Sequence, residues 1–87
     1  VSDIYYIESV GNYMSIYCAN NSRFITSGTL KYIEEKLPNN FMRVHNSYLV
    51  NIDKISAIES NCIILNKKPI PVSRSNWKIL NQRLDFI

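Results

Sequence analysis

Apolar and polar residues alternate from the start of the chain. In "DIYYIES" aromatic and β-branched side chains dominate, and in "NYMSIYC" Tyr13, Ser15 and Tyr17 alternate with Met14, Ile16 and Cys18 after a Gly11-Asn12 turn signal. A period of two marks a strand with two unlike faces, so these runs predict a hairpin. "ANNS" predicts a second turn and "RFITS" a third strand, which completes a meander. The period then lengthens. Leu30, Ile33 and Leu37 fall at helical spacing, Ser27 or Thr29 is available as the cap, and Pro38 stops the run. This predicts a helix of about two turns. Beyond the Asn39-Asn40 loop, "FMRV", "YLVNI", "ISAIES", "CIILN" and "PIPVS" are all short and β-like, with Ser60-Asn61 and Asn66-Lys67 as hairpin turns. The end, "SNWKILNQRLDFI", returns to helical spacing at Trp77, Leu80 and Leu84, with Ser73 or Ser75 as the cap. The expected fold is mostly β, with one short internal helix and a C-terminal helix. No repeat, low-complexity segment or linker interrupts it.

With 87 residues the chain is read as a single domain, 1–87. Its apolar runs are far too short to span a bilayer, which predicts a soluble protein. It starts at "VSDIYY" without an initiator methionine or signal segment, so the expectation is a module of a longer chain. Cys18 and Cys62 form no CxxC or Cys/His grouping, which argues against zinc and against a disulfide framework. Both sit in strand-like alternation and read as buried reduced thiols, as in a cytoplasmic protein.

Charge is distributed unevenly. Through Met42, three basic residues (Arg23, Lys31, Lys36) meet four acidic ones. From Arg43 onward seven basic residues (Arg43, Lys54, Lys67, Lys68, Arg74, Lys78, Arg83) meet three acidic ones, about +4 by count. A polyanionic partner fits that half; a solvated, mildly basic surface is the plainer alternative.

His45 lies two residues from Ser47 and invites a nucleophile and base assignment. In an extended strand the two are about 7 Å apart, too far for the hydrogen bond that activates a serine. No third member or glycine-rich phosphate cradle accompanies them, and one histidine with isolated acids does not fill a metal's coordination shell. The expectation is no catalysis, no cofactor and no metal.

Nucleic-acid binding suits the polar residues better. An asparagine amide matches the N6/N7 edge of adenine, and an arginine the O6/N7 edge of guanine. Among eleven asparagines, Asn20, Asn21, Asn39, Asn40 and Asn61 need only a turn to explain them. Asn46, beside Arg43 and His45 at what reads as the start of a strand, has no such explanation. Arg74 lies between two serines where the final helix begins, so Ser73, Ser75 and the helix N-terminus can meet a phosphate while the guanidinium reaches further.

"FMRVHNSYLVN" resembles the signature of the LytTR family, the DNA-binding output domain of many bacterial response regulators. "IYYIESVGNYMSIY", "GTLKYIEEKLP" and "IPVSRSNWKIL" follow in the family's order and spacing, so the resemblance covers nearly the whole chain. It implies an elongated arrangement of small antiparallel sheets and contact with DNA through loops. It also implies that Gly11-Asn12-Tyr13, His45-Asn46-Ser47 and Ser73-Arg74-Ser75 are the reading segments. Base contacts then fall to Asn46, Arg74, Asn12 and Tyr13, although Tyr13 reads equally as a packed strand residue. Phosphate contacts fall to His45, Ser47, Ser73 and Ser75 within these segments and, on the basic charge of the second half alone, to Arg43, Lys67, Lys68 and Lys78. Many members carry Arg or Lys after the histidine where this chain has Asn46, which changes a phosphate contact into a candidate base contact. Val44, Leu49 and Val50 are expected to pack inward.

The expected function is sequence-specific binding of double-stranded DNA, at repeated promoter half-sites, as the output of a two-component regulator. The transcription machinery and an upstream receiver domain are the other implied partners. Two rivals stand beside it: a protein-interaction or sensory β-module using the tyrosine-rich meander, and a single-strand binder that stacks bases on tyrosines.

Overall fold

The initial alternation becomes three strands, β1 (Ile4–Val10), β2 (Tyr13–Cys18) and β3 (Arg23–Ser27). They are seen in a computed structural model that describes residues 3–84. Gly11 turns the first hairpin at φ +61°, a left-handed backbone that glycine enters without a Cβ clash. Asn20 and Asn21 turn the second at φ 63° and 61°, where asparagine is tolerated. Next come α1 (Leu30–Glu34), β4 (Phe41–His45) and β5 (Tyr48–Asn51). The first sheet is antiparallel throughout, in the order β3-β2-β1-β5-β4. A second antiparallel sheet holds β6 (Ala57–Ile58), β7 (Cys62–Leu65) and β8 (Lys68–Pro71) in that order. The helix α2 (Arg74–Arg83) follows.

Several elements are shorter than their sequence patterns predict. Thr29, not Ser27, caps α1: its Oγ1 accepts from the Tyr32 N–H at 3.2 Å. The α-helix stops at Glu34 and tightens into i→i+3 turns, with the Lys36 and Leu37 N–H groups donating to the Ile33 and Glu34 carbonyls, before Pro38 ends the run. In "YLVNI", Ile52 leaves the strand because Asn51 Oδ1 takes the Asp53 N–H at 3.0 Å and starts a 3-10 turn over Ile52–Lys54. In "ISAIES" only Ala57 and Ile58 pair as a strand. The Asp85–Ile87 end of the expected terminal helix lies outside the described residues.

Both faces of the first sheet are covered in its middle, while β3 at the edge is exposed throughout. On one, Tyr6, Met42, Val44 and Val50 meet Ile63, Leu65 and Ile70 from the second sheet, Val72 just beyond it and Leu80 from α2. On the other, Ile7, Met14, Phe41 and Leu49 meet Leu30 of α1. Val44, Leu49 and Val50 are fully buried as expected, each worth about 1.5–3 kcal/mol of hydrophobic stabilisation. Neighbours in β5, Leu49 and Val50 serve different cores, as the two-residue period of a strand requires. Trp77 and Leu84 flank Leu80, so the apolar stripe of α2 is the one the spacing predicts. The two sheets stack to a radius of gyration of 12.2 Å with extents of 36 × 27 × 22 Å. A compact chain of this length has about 12 Å, so the elongation is modest.

Asn40 and Asn51 fasten the middle of the chain. Asn51 is buried, and its Oδ1 also accepts from Asn40 Nδ2 at 3.1 Å, while its Nδ2 donates to the Ile4 carbonyl at 3.0 Å. Asn40 therefore does more than form a turn. Cys18 is buried and Cys62 only half-buried; both are free thiols. Burial pushes the Cys18 thiol up from its ordinary pKa, with Asp3 adding to the effect.

Candidate nucleic-acid interface

Asn46 and Ser47 form the two-residue turn between β4 and β5, not the start of a strand as the sequence reading had it. No glycine or proline marks this turn, and side chains hold it instead. His45 Nδ1 accepts from the Ser47 N–H at 3.2 Å, and Arg43 Nη2 donates to the Asn46 carbonyl at 3.0 Å. The Asn46 side chain is left exposed at the tip. This also replaces the strand-spacing argument about His45 and Ser47, because one imidazole nitrogen is taken by a backbone amide. Among the described residues, no three His, Cys, Asp or Glu side chains group as a metal site.

Two backbone hydrogen bonds gather the other segments around this turn. The Ser9 N–H donates to the Ser47 carbonyl at 2.8 Å, which sets the Gly11-Asn12 tip of the first hairpin at the same end of the sheet. The pairing register shifts between Arg43 and His45, a bulge that frees the Val44 carbonyl from the ladder. That carbonyl accepts from the Ser73 N–H at 2.8 Å. Thus Gly11-Asn12-Tyr13, His45-Asn46-Ser47 and Ser73-Arg74-Ser75 share one end of the fold. Asn12 and Tyr13 are both exposed there, Tyr13 by 41%.

Helical geometry then separates residues that sequence alone leaves together. At about 100° per residue, Arg74 and Lys78 lie within about 40° of one another on an exposed flank of α2. Asn76, Ile79 and Arg83 occupy the opposite flank. There they line, with Arg43, His45 and Asn46, a groove of about 540 Å³. The asparagine of α2 that shares this groove with Asn46 is Asn76, which the sequence pattern does not single out. Its amide Nδ2 donates to Ser73 Oγ at 2.6 Å. Ser73 stands at the N-cap position, but its hydroxyl accepts no helix N–H. Ser75 lies within the helix, exposed. Arg83 Nη2 donates to the Asn39 carbonyl, which ties the end of α2 to the loop before β4.

Lys67 and Lys68 are not brought to this end. They stand where β7 turns into β8, and Lys68 is five residues of extended chain before Ser73, about 16 Å at a strand's rise. Asn66 and Lys67 turn that hairpin with φ 51° and 66°.

The tyrosines are mostly committed to the fold. Tyr6 stacks on Tyr17 with centroids 4.5 Å apart, and Tyr17 and Tyr48 donate to the two oxygens of Glu8 at 3.5 and 3.0 Å. His45 meets Tyr48 edge-on at 5.9 Å. A base-stacking platform of six tyrosines is thereby ruled out; only Tyr13 and Tyr32 stand exposed. No helix among the described residues is long and apolar enough to cross a membrane.

Residues 1–85 match the family described as the LytTr DNA-binding domain. The sensory transduction protein LytT of Bacillus anthracis is 33% identical over 97% of this chain and 37% of its own length. The transcriptional regulatory protein YpdB of Escherichia coli K12 is 33% identical over 94% of this chain and 36% of its own length. The chain thus spans just over a third of these relatives. Its fold is similar to the solved LytTr DNA-binding domain of a Bacillus cereus response regulator, with a TM-score of 0.86 at 24% identity over 98% of this chain and 84% of that one.

Proposed function

Since the chain belongs to the LytTR family of DNA-binding domains, we propose that its work is sequence-specific binding of double-stranded DNA as the output module of a bacterial transcription regulator. The observation that carries this reading to particular residues is the pair of backbone bonds, Ser9 to Ser47 and Ser73 to Val44, that collects three polar segments, each with exposed side chains, at one end. Asn46, Arg74, Asn12 and Tyr13 are the base readers of this reading. Arg43, His45, Ser47, Ser73, Ser75 and Lys78 meet phosphates around them, and Lys67 and Lys68 reach the backbone further along the duplex. Affinity comes from counterion release at these basic groups, and preference from the asparagine and arginine edges in the major groove.

Binding proceeds without catalysis, in the cytoplasm, and the occupied sites position the transcription machinery. The domain forms one unit of a longer chain whose receiver domain controls it. Selection of bound duplexes from a random pool tests the reading. A motif repeated in half-sites is the expected outcome, and recovery of no preferred duplex removes the assignment. Competition by single-stranded DNA and a salt titration separate it from the rival classes, because only duplex binding both resists the single strand and weakens steeply with ionic strength.

A further inference from the structure

Asn76 lies on the flank of α2 that faces Asn46, and its side chain is bonded to Ser73 Oγ at 2.6 Å. A serine at an N-cap ordinarily turns its oxygen toward the N–H groups of the first helical turn. Here it does not: the Asn76 and Trp77 N–H groups donate to the Ser73 carbonyl at 3.0 and 3.1 Å, and the hydroxyl oxygen accepts from the Asn76 amide. A hydroxyl has one proton and two lone pairs. With an acceptor site filled by the Asn76 amide, the hydroxyl keeps its proton for a partner other than Asn76.

We propose that Asn76 is a positioning residue for DNA binding, which holds the Ser73 hydroxyl as a fixed donor toward a DNA phosphate. Phosphate oxygen only accepts, so a serine engaged as a donor to a neighbouring side chain would have nothing to offer it. The Ser73 backbone N–H, bonded to Val44, anchors the same residue from the other side. Ser73 is thus fixed at two atoms, and the hydroxyl proton is the polar group it has left to offer. The inference rests on the reading of Ser73 as a phosphate contact.

The test is a mutant cycle of Ser73→Ala and Asn76→Ala, measured on a duplex selected from a random pool and on a random duplex, with thermal melts of every variant. Ser73→Ala is expected to weaken binding to both duplexes by about tenfold, the worth of one hydrogen bond to a charged group. Asn76→Ala should weaken both several-fold in the natural background and by less than about twofold when Ser73 is already alanine. Asn76→Asp gives a second comparison. Its carboxylate captures the Ser73 proton, so it should weaken binding more with Ser73 present than with alanine there, where only its charge acts. An equal Asn76→Ala loss in both backgrounds overturns the proposal, as does a changed preference at one base pair. If Ser73→Ala weakens binding and Asn76→Ala does not, the positioning role falls and the phosphate contact stands. If Ser73→Ala binds as the natural domain does, both fall together.

Discussion

The backbone N–H of Ser73 donates to the carbonyl of Val44 at 2.8 Å, across 29 residues of sequence. The Val44 carbonyl is available only because the pairing of β4 with β5 shifts at that residue. This one bond joins the turn that carries Asn46 to the start of the helix that carries Arg74. From the sequence they have no shared local structure, and their contributions to binding would simply add. Sharing a backbone contact, they are expected to couple by more than about 0.5 kcal/mol in a double-mutant cycle on DNA.

Ser73→Pro tests that bond directly. Ser73 has φ −65°, the angle proline fixes, so the substitution removes the N–H without straining the dihedral. Ser73→Ala removes the hydroxyl and keeps the N–H, which makes it the control. Leaving the carbonyl of buried Val44 without its donor, with the ring's Cδ pressed toward that oxygen where the N–H had been, is expected to cost at least about 1–3 kcal/mol of stability beyond the alanine variant. Base preference should relax at the positions read by both segments. Equal melting and equal preference in the two variants would show that the bond does not set the spacing.

What the sequence made legible, and what it hid, divides along physical lines. The strands of the first meander and the Trp77, Leu80 and Leu84 stripe followed from periodicity, because burying one face of an element requires it. The Asn46-Ser47 turn was hidden because its holding contacts come from the His45 and Arg43 side chains, and no glycine or proline announces it. Asn51 was hidden for the opposite reason: it looks like one more polar strand residue, yet it is buried and fully engaged. Charge counting grouped Lys67 and Lys68 with Lys78, but it is blind to which end of a hairpin a residue occupies. Asn76 needed the facing direction of α2, and a helix's orientation is set by the core, not by its exposed side chains.

Lys67 carries a conformational cost that can be separated from its charge. Its φ of +66° places a Cβ-bearing residue in the left-handed region, at about 1–2 kcal/mol. Two-residue hairpins of this kind favour glycine at that second position. Lys67→Gly is expected to stabilise the domain by about 1 kcal/mol and raise Tm by about 4–8 °C. If Lys67 meets a phosphate, the same variant binds DNA less well, with a salt slope lower by about one. Lys67→Ala should show the binding loss without the stability gain. Thermal melts and salt titrations of the two variants check both halves.

Alkaline unfolding is expected to run through Tyr6. Burial, helped by the nearby Tyr17 and Glu8, pushes its phenol up from the ordinary 10.0 to about 12. Burial and the hydrogen bond to Glu8 raise Tyr48 as well. A phenol that holds its proton more tightly when folded loses it first in the unfolded chain. Its contribution is therefore whole below pH 10.0 and disappears as pH rises through about 12. Stability followed by denaturant titration should fall across that window. Tyr6→Phe keeps the ring that stacks on Tyr17 and removes the titrating group, so its slope there should be shallower. An unchanged slope would place the alkaline sensitivity in other residues.

His45 has two ring nitrogens with different work, and two substitutions separate them. Nδ1 accepts from the Ser47 N–H at 3.2 Å, which puts the proton of the neutral imidazole on Nε2. The ring is further placed by its edge contact with Tyr48, whose hydroxyl is held by Glu8. If His45 meets a phosphate, as proposed, Nε2–H is the donor it offers. Asparagine sets its Oδ1 near the place of Nδ1, so His45→Asn should keep the turn and melt within about 0.5 kcal/mol of the natural domain. It should still bind every duplex more weakly, because the outer donor is gone. Glutamine places its amide near Nε2, so His45→Gln should bind better than His45→Asn while melting lower, the Ser47 N–H having lost its acceptor. Melts and binding to matched and random duplexes decide the matter. The reverse order, with glutamine stable and asparagine the better binder, would mean that Nδ1 serves the DNA and Nε2 the fold.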